Sequence, residues 1–205
     1  MMLTSMPAIR AVPTVLVIPS IPNTSAVPVV IVLAAGQGER FAASGGTTHK
    51  LQALLAGKTV MQHTLAAVQA SGLAFHVVTS DPSRPGMGDS IAAGVRATPD
   101  AACWLILPAD LPLITAETLR LIALAAPSAV TVPCYQGQRG HPVRFDAICK
   151  EKLLNFEGNQ GAAQLIRAQE AINSVVEVDV DDIGVVTDVD TLADLERADA
   201  LLKAR

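Results

Sequence analysis

The segment that most constrains the fold runs from residue 30 to residue 40 and reads VIVLAAGQGER. An apolar run that ends in glycines is typical of a strand buried on both faces, and such strands deliver ligands to the loop at their carboxyl end. The glycines let backbone N–H groups approach an anion, and Arg40 with the downstream Lys50 supplies positive charge. The segment therefore predicts a polyphosphate site.

The spacing of this loop excludes two common phosphate motifs. It lacks the two glycines, five residues apart and followed by Lys-Ser/Thr, of a P-loop, and the third glycine of a dinucleotide fingerprint would fall at Phe41. A bulky residue does not fit where a helix must pack closely on a strand, so an NAD site is disfavoured. A glycine turn that only reverses the chain remains an alternative.

Hydrophobic periodicity predicts strands that alternate with helices from residue 28 onward. The expected strands are 29–35, 75–79, 103–107, 129–133 and 174–180, and the expected helices are 60–70, 90–97, 115–126, 147–154, 162–168 and 191–202. Gly72 should end the first helix, and Asp89 or Ser90 should cap the second. This alternation predicts an α/β fold, a single-domain, Rossmann-like three-layer α/β/α sandwich with a mostly parallel central sheet.

Residues 1–27 differ from the rest, because prolines interrupt every short apolar run. We expect a poorly ordered N-terminal extension, without a membrane-spanning segment, followed by one domain over 28–205. The formal net charge of −4 argues against nucleic acid as a partner. Three widely spaced cysteines suggest buried, reduced thiols and a cytoplasmic protein, and the four histidines lack metal-ligand spacing.

One acid stands where open α/β sheets bind ligands. The strand 103–107 runs into the sequence LPADLPL, so Asp110 follows a buried strand and is fenced by prolines. A carboxylate there can hold Mg²⁺, which takes few protein oxygens and leaves the rest to phosphates and water. The alternative is that Asp110 caps the helix beginning at Thr115, although Thr115 is the better cap.

These features resemble the signature of the nucleotidylyltransferases. The pattern LAAGxxxR over 33–40 with Lys50 is most similar to the MobA-like group, which includes molybdenum cofactor cytidylyltransferase and has the fold of the nucleotide-diphospho-sugar transferases. Further similar elements are ADLP over 109–112, GMGDSIAAG over 86–94 and RGHPV over 139–143. The insertion AASGGTT at 42–48 departs from the family by moving Lys50 away from Arg40.

The segment TDVDTLADL at 187–195 resembles the family's second acidic element, which reaches the same cation. In extended chain Asp188 and Asp190 point to the same side, so either could be the second metal ligand. We favour Asp190. The alternative is that Asp190 or Thr191 only caps the last helix.

The resemblance implies a site of defined composition. Catalytic roles fall on Arg40, Lys50 and Asp110, and metal binding falls on Asp110 with Asp190 or Asp188. The acceptor site falls on Gly140, His141 and Pro142. Nucleotide-binding residues would be Leu33, Ala34, Ala35, Gly36, Gly38, Arg40, Lys50, Gly86, Gly88, Ser90 and Asp110.

The implied reaction is Mg²⁺-dependent transfer of a nucleoside monophosphate from a nucleoside triphosphate to a phosphorylated acceptor, with release of pyrophosphate. Ala35 favours CTP, and the resemblance suggests a pterin acceptor, the molybdenum cofactor, and a molybdoenzyme that receives it. Asn159 and Ala163 replace the family's usual Asp and Arg. Two alternatives therefore stay open: a transferase making a nucleoside-diphosphate sugar or alcohol, and a non-catalytic nucleotide-binding accessory protein in molybdoenzyme maturation.

Overall fold

The structure, a computed structural model, describes residues 27–83, 86–159 and 161–204. The expected extension therefore lies almost wholly outside the described residues. The strands are β1 (Pro28–Ala34), β2 (Leu54–Leu55), β3 (Lys58–Thr59), β4 (Ala74–Thr79), β5 (Cys103–Pro108), β6 (Val130–Tyr135), β7 (Gln138–Arg139), β8 (Val143–Asp146) and β9 (Val175–Asp179). The helices are α1 (Glu39–Ala43), α2 (Val60–Ser71), α3 (Met87–Ala97), α4 (Ala116–Ala123), α5 (Lys150–Leu154), α6 (Ala163–Glu170) and α7 (Leu192–Lys203).

The central sheet is mostly parallel, as the sequence predicts. Its order is β4-β1-β5-β8-β6, with β9 parallel to β6 on the outside and β7 antiparallel to the end of β6. The strand β8 is antiparallel to both β5 and β6 and was not predicted. It has only four residues and contains Arg144, so its sequence lacks the apolar run by which the other buried strands are recognised.

Alternate residues of the strands enter two separate cores, and this makes the three layers. Val30 and Val32 pack with α2, α4 and α7 on one face of the sheet. Val29 and Ile31 pack with α3, α5 and α6 on the other face. Because both faces are buried, the sequences of β1 and β5 are unbroken apolar runs.

Helix ends follow the sequence signals in part. Gly72 ends α2 in the left-handed conformation, with φ of 72°, and Thr115 caps α4 through its side chain, both as expected. The predicted cap of α3 is wrong. This helix begins at Met87 with Gly86 before it, so Asp89 and Ser90 lie inside its first turn.

Parallel pairing brings the ends of β1 and β5 to one edge of the sheet. Leu33 stands opposite Pro108, and the carbonyl of Leu33 accepts a hydrogen bond from the N–H of Ala109 at 3.0 Å. The glycine loop after β1 and Asp110 after β5 are therefore neighbours in space, although 70 residues of chain separate them.

Candidate active site

The loop after β1 leaves open space beside its first glycine. A Cβ atom built on Gly36 meets no described atom within 4 Å, whereas Gly38 adopts φ of +71° at the entry to α1. Phe41, at the position where a dinucleotide fingerprint requires glycine, is buried in the core. The loop is thus shaped by two glycines and anchored by one aromatic ring.

The insertion at 42–48 does not remove Lys50 from this loop. The hydroxyl of Ser44 accepts a hydrogen bond from the N–H of Leu192 at 3.0 Å, which fastens the insertion to the start of α7. The chain then returns through His49 into a 3₁₀ turn (Lys50–Gln52). The family spacing is lost in sequence, yet the lysine reaches the site.

His49 joins the turn that carries Lys50 to the glycine loop, and sequence reasoning did not assign it. Its Nδ1 accepts the N–H of Leu51 at 3.3 Å, and its Nε2 lies 2.8 Å from the carbonyl oxygen of Gly36. An Nδ1 that accepts leaves Nε2 to donate to the carbonyl. The adjacency of His49 to Lys50 was the one sequence signal for this role.

Lys50 bridges the two predicted carboxylates. Its Nζ lies 2.6 Å from Oδ2 of Asp110 and 2.6 Å from Oδ1 of Asp190. The other oxygen of Asp190 accepts a hydrogen bond from Nη1 of Arg40 at 2.9 Å. Four charged residues from three distant parts of the sequence therefore form one chain of ion pairs.

The structure distinguishes the two residues offered as the cap of α7, while the choice of Asp190 or Asp188 as a metal ligand stays a prediction. Thr191 caps this helix, in a reciprocal arrangement with Asp194, so Asp190 is not the cap and faces Lys50. Asp188 is exposed. The alternative that Asp110 caps α4 is wrong, because the N-cap of this helix is Thr115.

The ion pairs of this cluster shift the pKa values of Lys50 and Asp190. Burial lowers the pKa of Lys50, but the charges and hydrogen bonds of Asp110 and Asp190 outweigh it, and the net shift is upward. The hydrogen bond from Lys50 holds the pKa of Asp190 below its usual value. Partial desolvation by the surrounding protein raises the pKa of Asp188, although the residue is exposed, and the charges of Asp110 and Asp190 add to the rise. Lys50 and Asp190 are therefore both charged at neutral pH.

Two adjoining cavities lie at this edge of the sheet. The larger, of about 600 Å³, is lined by many of the predicted residues: Leu33, Ala35, Gly36, Lys50, Gly86, Ser90, Asp110, Gly140 and His141. The smaller, of about 460 Å³, is lined by the glycine loop with Arg40, Lys50 and Asp190. Ala34, Gly88, Pro142 and Asp188 line neither cavity.

Gly86 stands directly before α3 and Gly88 lies in its first turn, and both contact Gly158. A Cβ on Gly86 would lie 2.0 Å from the carbonyl oxygen of Gly158, and the N–H of Gly88 donates to that same carbonyl at 2.8 Å. The carboxylate of Asp89 accepts the N–H of Gly158 at 2.9 Å. Gly86 also lines the large cavity, so the nucleotide-binding role implied for these glycines stays a prediction.

Two of the three predicted acceptor residues, Gly140 and His141, line the large cavity. The N–H of His141 donates to the carbonyl of Val185 at 2.9 Å, and a Cβ on Gly140 would stand 2.2 Å from that oxygen. Nδ1 of His141 is buried without a hydrogen-bond partner among the described residues. Burial lowers the pKa of His141 and keeps the imidazole neutral, although the nearby charge of Asp110 opposes the shift.

Arg139 also lines the large cavity, and sequence reasoning did not commit to it. Its guanidinium is held by Glu170 on α6, at 2.5 Å, and by Glu177 on β9, at 2.5 Å. Ala163, where the family usually has an arginine, lines the same cavity. Arg139, on β7, therefore places a positive charge at this wall, whereas the family's usual arginine would stand at position 163.

The donor set fits a magnesium ion that is completed by substrate. Within 27–83, 86–159 and 161–204, no three His, Cys, Asp or Glu side chains gather into a ready metal cluster. Asp110 and Asp190 nevertheless share one cationic partner, and Oδ1 of Asp110 is buried with no described hydrogen-bond partner. Mg²⁺ is bound in this way, by one or two carboxylates plus phosphate oxygens and water.

Comparisons with known proteins agree with the fold and the motifs. Residues 30–175 match the model of the MobA-like NTP transferase domain. Purine catabolism protein PucB of Bacillus subtilis (strain 168) is 27% identical over 108 residues, which are 52% of this chain and 52% of PucB. The chain thus matches about half the length of that relative.

Solved structures with a similar fold cover nearly the whole domain. A nucleotidyl transferase from Methanothermobacter thermautotrophicus has a TM-score of 0.74 at 22% identity, over 87% of this chain and 99% of that one. Molybdopterin-guanine dinucleotide biosynthesis protein A from Archaeoglobus fulgidus has a TM-score of 0.58 at 17% identity, over 86% and 100%. In the described part of the chain, none of the helices has the length and apolar character needed to cross a membrane.

Proposed function

The chain belongs to the MobA-like NTP transferase family, and from this premise we propose that it is a Mg²⁺-dependent nucleotidylyltransferase that transfers CMP from CTP to a phosphorylated pterin, the molybdenum cofactor. The observation that carries the proposal is the convergence of Asp110 and Asp190 on Lys50, each at 2.6 Å, beside the glycine loop. A site that only bound a nucleoside would have no need of two carboxylates at the phosphate end.

The proposed reaction forms a bond between an acceptor phosphate oxygen and the α-phosphorus of the triphosphate. The bond from that phosphorus to the β-phosphate oxygen breaks, and pyrophosphate leaves with the electron pair. A phosphate monoester is already anionic at neutral pH, so the step needs positioning and charge neutralisation more than a strong base.

The residues divide this work by their location. Arg40 and Lys50 line the smaller cavity, where they would neutralise the β- and γ-phosphates. Asp110 and Asp190 would hold Mg²⁺, which supplies charge stabilisation at the phosphates when bound. His49 would keep the carbonyl of Gly36 turned away from the phosphates by donating to it at 2.8 Å.

The acceptor is assigned to the far side of the large cavity. The wall there is largely apolar, with Ile106, Val132, Val143 and Ile166, which suits a flat heterocycle such as a pterin. His141 lines this wall and would offer its imidazole ring as a polar group there. The solved relative from Archaeoglobus fulgidus, whose name refers to molybdopterin, supports this acceptor class.

Base choice rests on Ala35, whose methyl group borders the large cavity. A methyl group in a base pocket discriminates by about 1–3 kcal/mol, which favours CTP over a larger purine nucleotide. A molybdoenzyme that receives the product would be the protein partner, and a cytoplasmic location stays a prediction.

A second acceptor class follows from one observation. Ala163 replaces a family cation at the cavity wall, and Arg139 already pairs with two glutamates. Without the family's usual cation, the wall gives less support to an acceptor held there by its pterin phosphate, and a sugar or alcohol phosphate is the second candidate.

Pyrophosphate release separates these possibilities. The protein is assayed with each of the four NTPs and Mg²⁺, against molybdenum cofactor, a hexose 1-phosphate and a polyol phosphate. The proposal expects release with CTP and the pterin. Release only with a sugar or polyol phosphate would establish the second class, and nucleotide binding without release from any acceptor would favour an accessory protein.

Two variants test the site directly. Asp110→Asn should fold and lose turnover by about 100-fold or more, because a carboxylate ligand of the ion is gone. Asp100→Asn, at an exposed turn away from both cavities, is the matched control. Wild-type turnover in Asp110→Asn at saturating Mg²⁺ would remove Asp110 from the metal site.

A further inference from the structure

The lysine that bridges the two carboxylates is itself well shielded from water. The Lys50 side chain is 11% exposed and Asp110 is 14% exposed, whereas Asp190 is 29% exposed. The ammonium group of Lys50 donates a hydrogen bond to one oxygen of each carboxylate. These carboxylates are the pair assigned above to the divalent cation, so ammonium and cation compete for the same oxygens.

We propose that Lys50 is an exchangeable internal counter-ion that keeps the free protein from binding the divalent cation and admits it only together with a triphosphate. The identity of the ligands rests on the proposed function. The competition itself rests only on the geometry of Lys50, Asp110 and Asp190.

Charge balance explains why a cation alone would be opposed. Arg40 and Lys50 together neutralise Asp110 and Asp190, so the cluster carries no net charge before any ligand arrives. A lone divalent ion would add two positive charges next to an ammonium group whose described hydrogen bonds go to these same two carboxylates. Because water is largely excluded from the site, the ammonium group and a divalent ion held by the same carboxylates would repel each other strongly.

A triphosphate removes this obstacle. Its oxygens can accept from Lys50 in the smaller cavity, which the lysine already lines, and release Asp110 and Asp190 from the ammonium. The long, unbranched lysine stem allows its ammonium group to change partners by rotation about single bonds. The free oxygen Oδ1 of Asp110, buried and unpartnered among the described residues, is then available as well.

Arg40 differs from Lys50 in this respect. Its side chain is 81% exposed, and it holds the opposite oxygen of Asp190. It can follow an anion into solvent without opening the pair of carboxylates. The barrier to a lone cation therefore belongs to Lys50 and not to the cluster as a whole.

Binding of Mn²⁺ without nucleotide tests the inference. The free-ion signal in electron paramagnetic resonance gives the Kd for the wild type, Lys50→Met and the control Lys58→Met, whose side chain is exposed on β3. Lys50→Met should bind Mn²⁺ at least about tenfold more tightly than the wild type, because a neutral side chain leaves both carboxylates free. Lys58→Met should match the wild type.

A second measurement adds the non-hydrolysable analogue α,β-methylene-CTP. The wild type should then bind Mn²⁺ at least about tenfold more tightly than the ion alone, after correction for Mn²⁺ bound to free analogue, and Lys50→Met should gain less. Circular dichroism checks folding, and Lys50→Gln replaces Lys50→Met if the latter does not fold.

Equal Mn²⁺ affinity of the wild type and the neutral variants without nucleotide would overturn the inference, and would mark Lys50 as a fixed ion-pair residue. That comparison needs no nucleotide, so it decides the matter even if the proposed reaction is wrong. Failure of every NTP to support pyrophosphate release would instead refute the proposed function and leave the Mn²⁺ result standing.

Discussion

Replacement of Asp182 by alanine should destabilise the protein by several kcal/mol, although this residue is outside both cavities. Its buried carboxylate accepts the N–H and the hydroxyl of Thr115 at 3.0 and 2.8 Å, and the hydroxyl of Thr118 at 2.7 Å. Its other oxygen accepts the N–H of Gly184 at 2.9 Å. Asp182 thus fastens the segment 182–190, which delivers Asp190, to the start of α4.

The magnitude follows from which donors can find new partners. The hydroxyls of Thr115 and Thr118 are 2.9 Å apart and can bond each other. The N–H groups of Thr115 and Gly184 lose an acceptor, and each such loss costs about 1–3 kcal/mol, so about 2–6 kcal/mol together. Folded domains are stable by about 5–15 kcal/mol in total, so the change is large.

Denaturant unfolding measures the effect for Asp182→Ala beside the control Asp181→Ala, whose side chain is exposed. The midpoint should fall for Asp182→Ala with an unchanged denaturant slope, while the control stays within about 0.5 kcal/mol of the wild type. The free energy of unfolding of Asp182→Asn should lie between those of the two alanine variants. Its amide has one acceptor oxygen, which can replace only one of the two carboxylate oxygens. A free energy of unfolding for Asp182→Ala within about 0.5 kcal/mol of the wild type would refute this account of the segment.

Four shorter predictions concern the site and the thiols. Gly140→Ala should cost about 1–3 kcal/mol in denaturant unfolding, since its Cβ would stand 2.2 Å from the carbonyl oxygen of Val185, whereas Gly36→Ala should fold normally and weaken NTP binding, measured by calorimetry. His49→Ala should lower kcat/KM for the NTP with an unchanged melting temperature, because it frees the carbonyl of Gly36; equal kcat/KM would refute the positioning role. Arg40→Ala should change stability by less than about 1 kcal/mol, as its side chain is 81% exposed, and yet slow pyrophosphate release. Burial and the neighbouring Glu177 raise the pKa of the Cys134 thiol to about 11, and Cys103 and Cys149 are buried too. Dithiobis-nitrobenzoate at pH 8 should therefore label no cysteine in the native protein and all three in urea. Rapid labelling of the native protein would contradict the burial.

Much of the fold follows from local sequence patterns. Strands β1 and β5 are apolar throughout because helices cover both faces of the sheet, and such runs are visible without any tertiary information. Gly72 and Thr115 also act locally, as a left-handed stop and a side-chain cap, and were predicted correctly. The start of α3 was predicted wrongly. Gly86 precedes this helix and packs against Gly158, 72 residues away, and the local sequence does not reveal that contact.

The candidate site divides in the same way. The glycine loop and Asp110 stand directly after buried strands, so their edge of the sheet could be predicted from chain order. The position of Lys50 could not, because the insertion at 42–48 separates it from the loop, and its return depends on His49 and on Ser44 bonding to Leu192. The roles assigned to these residues stay predictions until the variants are measured.

The sequence alone determined the α/β class, the edge of the sheet where the candidate site lies and the family, because each is encoded in short segments whose residues act on their own neighbourhood. Tertiary structure decided that β8 runs antiparallel between β5 and β6, that Asp190 faces Lys50 while Asp188 is exposed, and that Gly140 lies against Val185. Each of these depends on contacts between segments distant in the chain. Such contacts are set by which surfaces pack together, and no local pattern of residues records them.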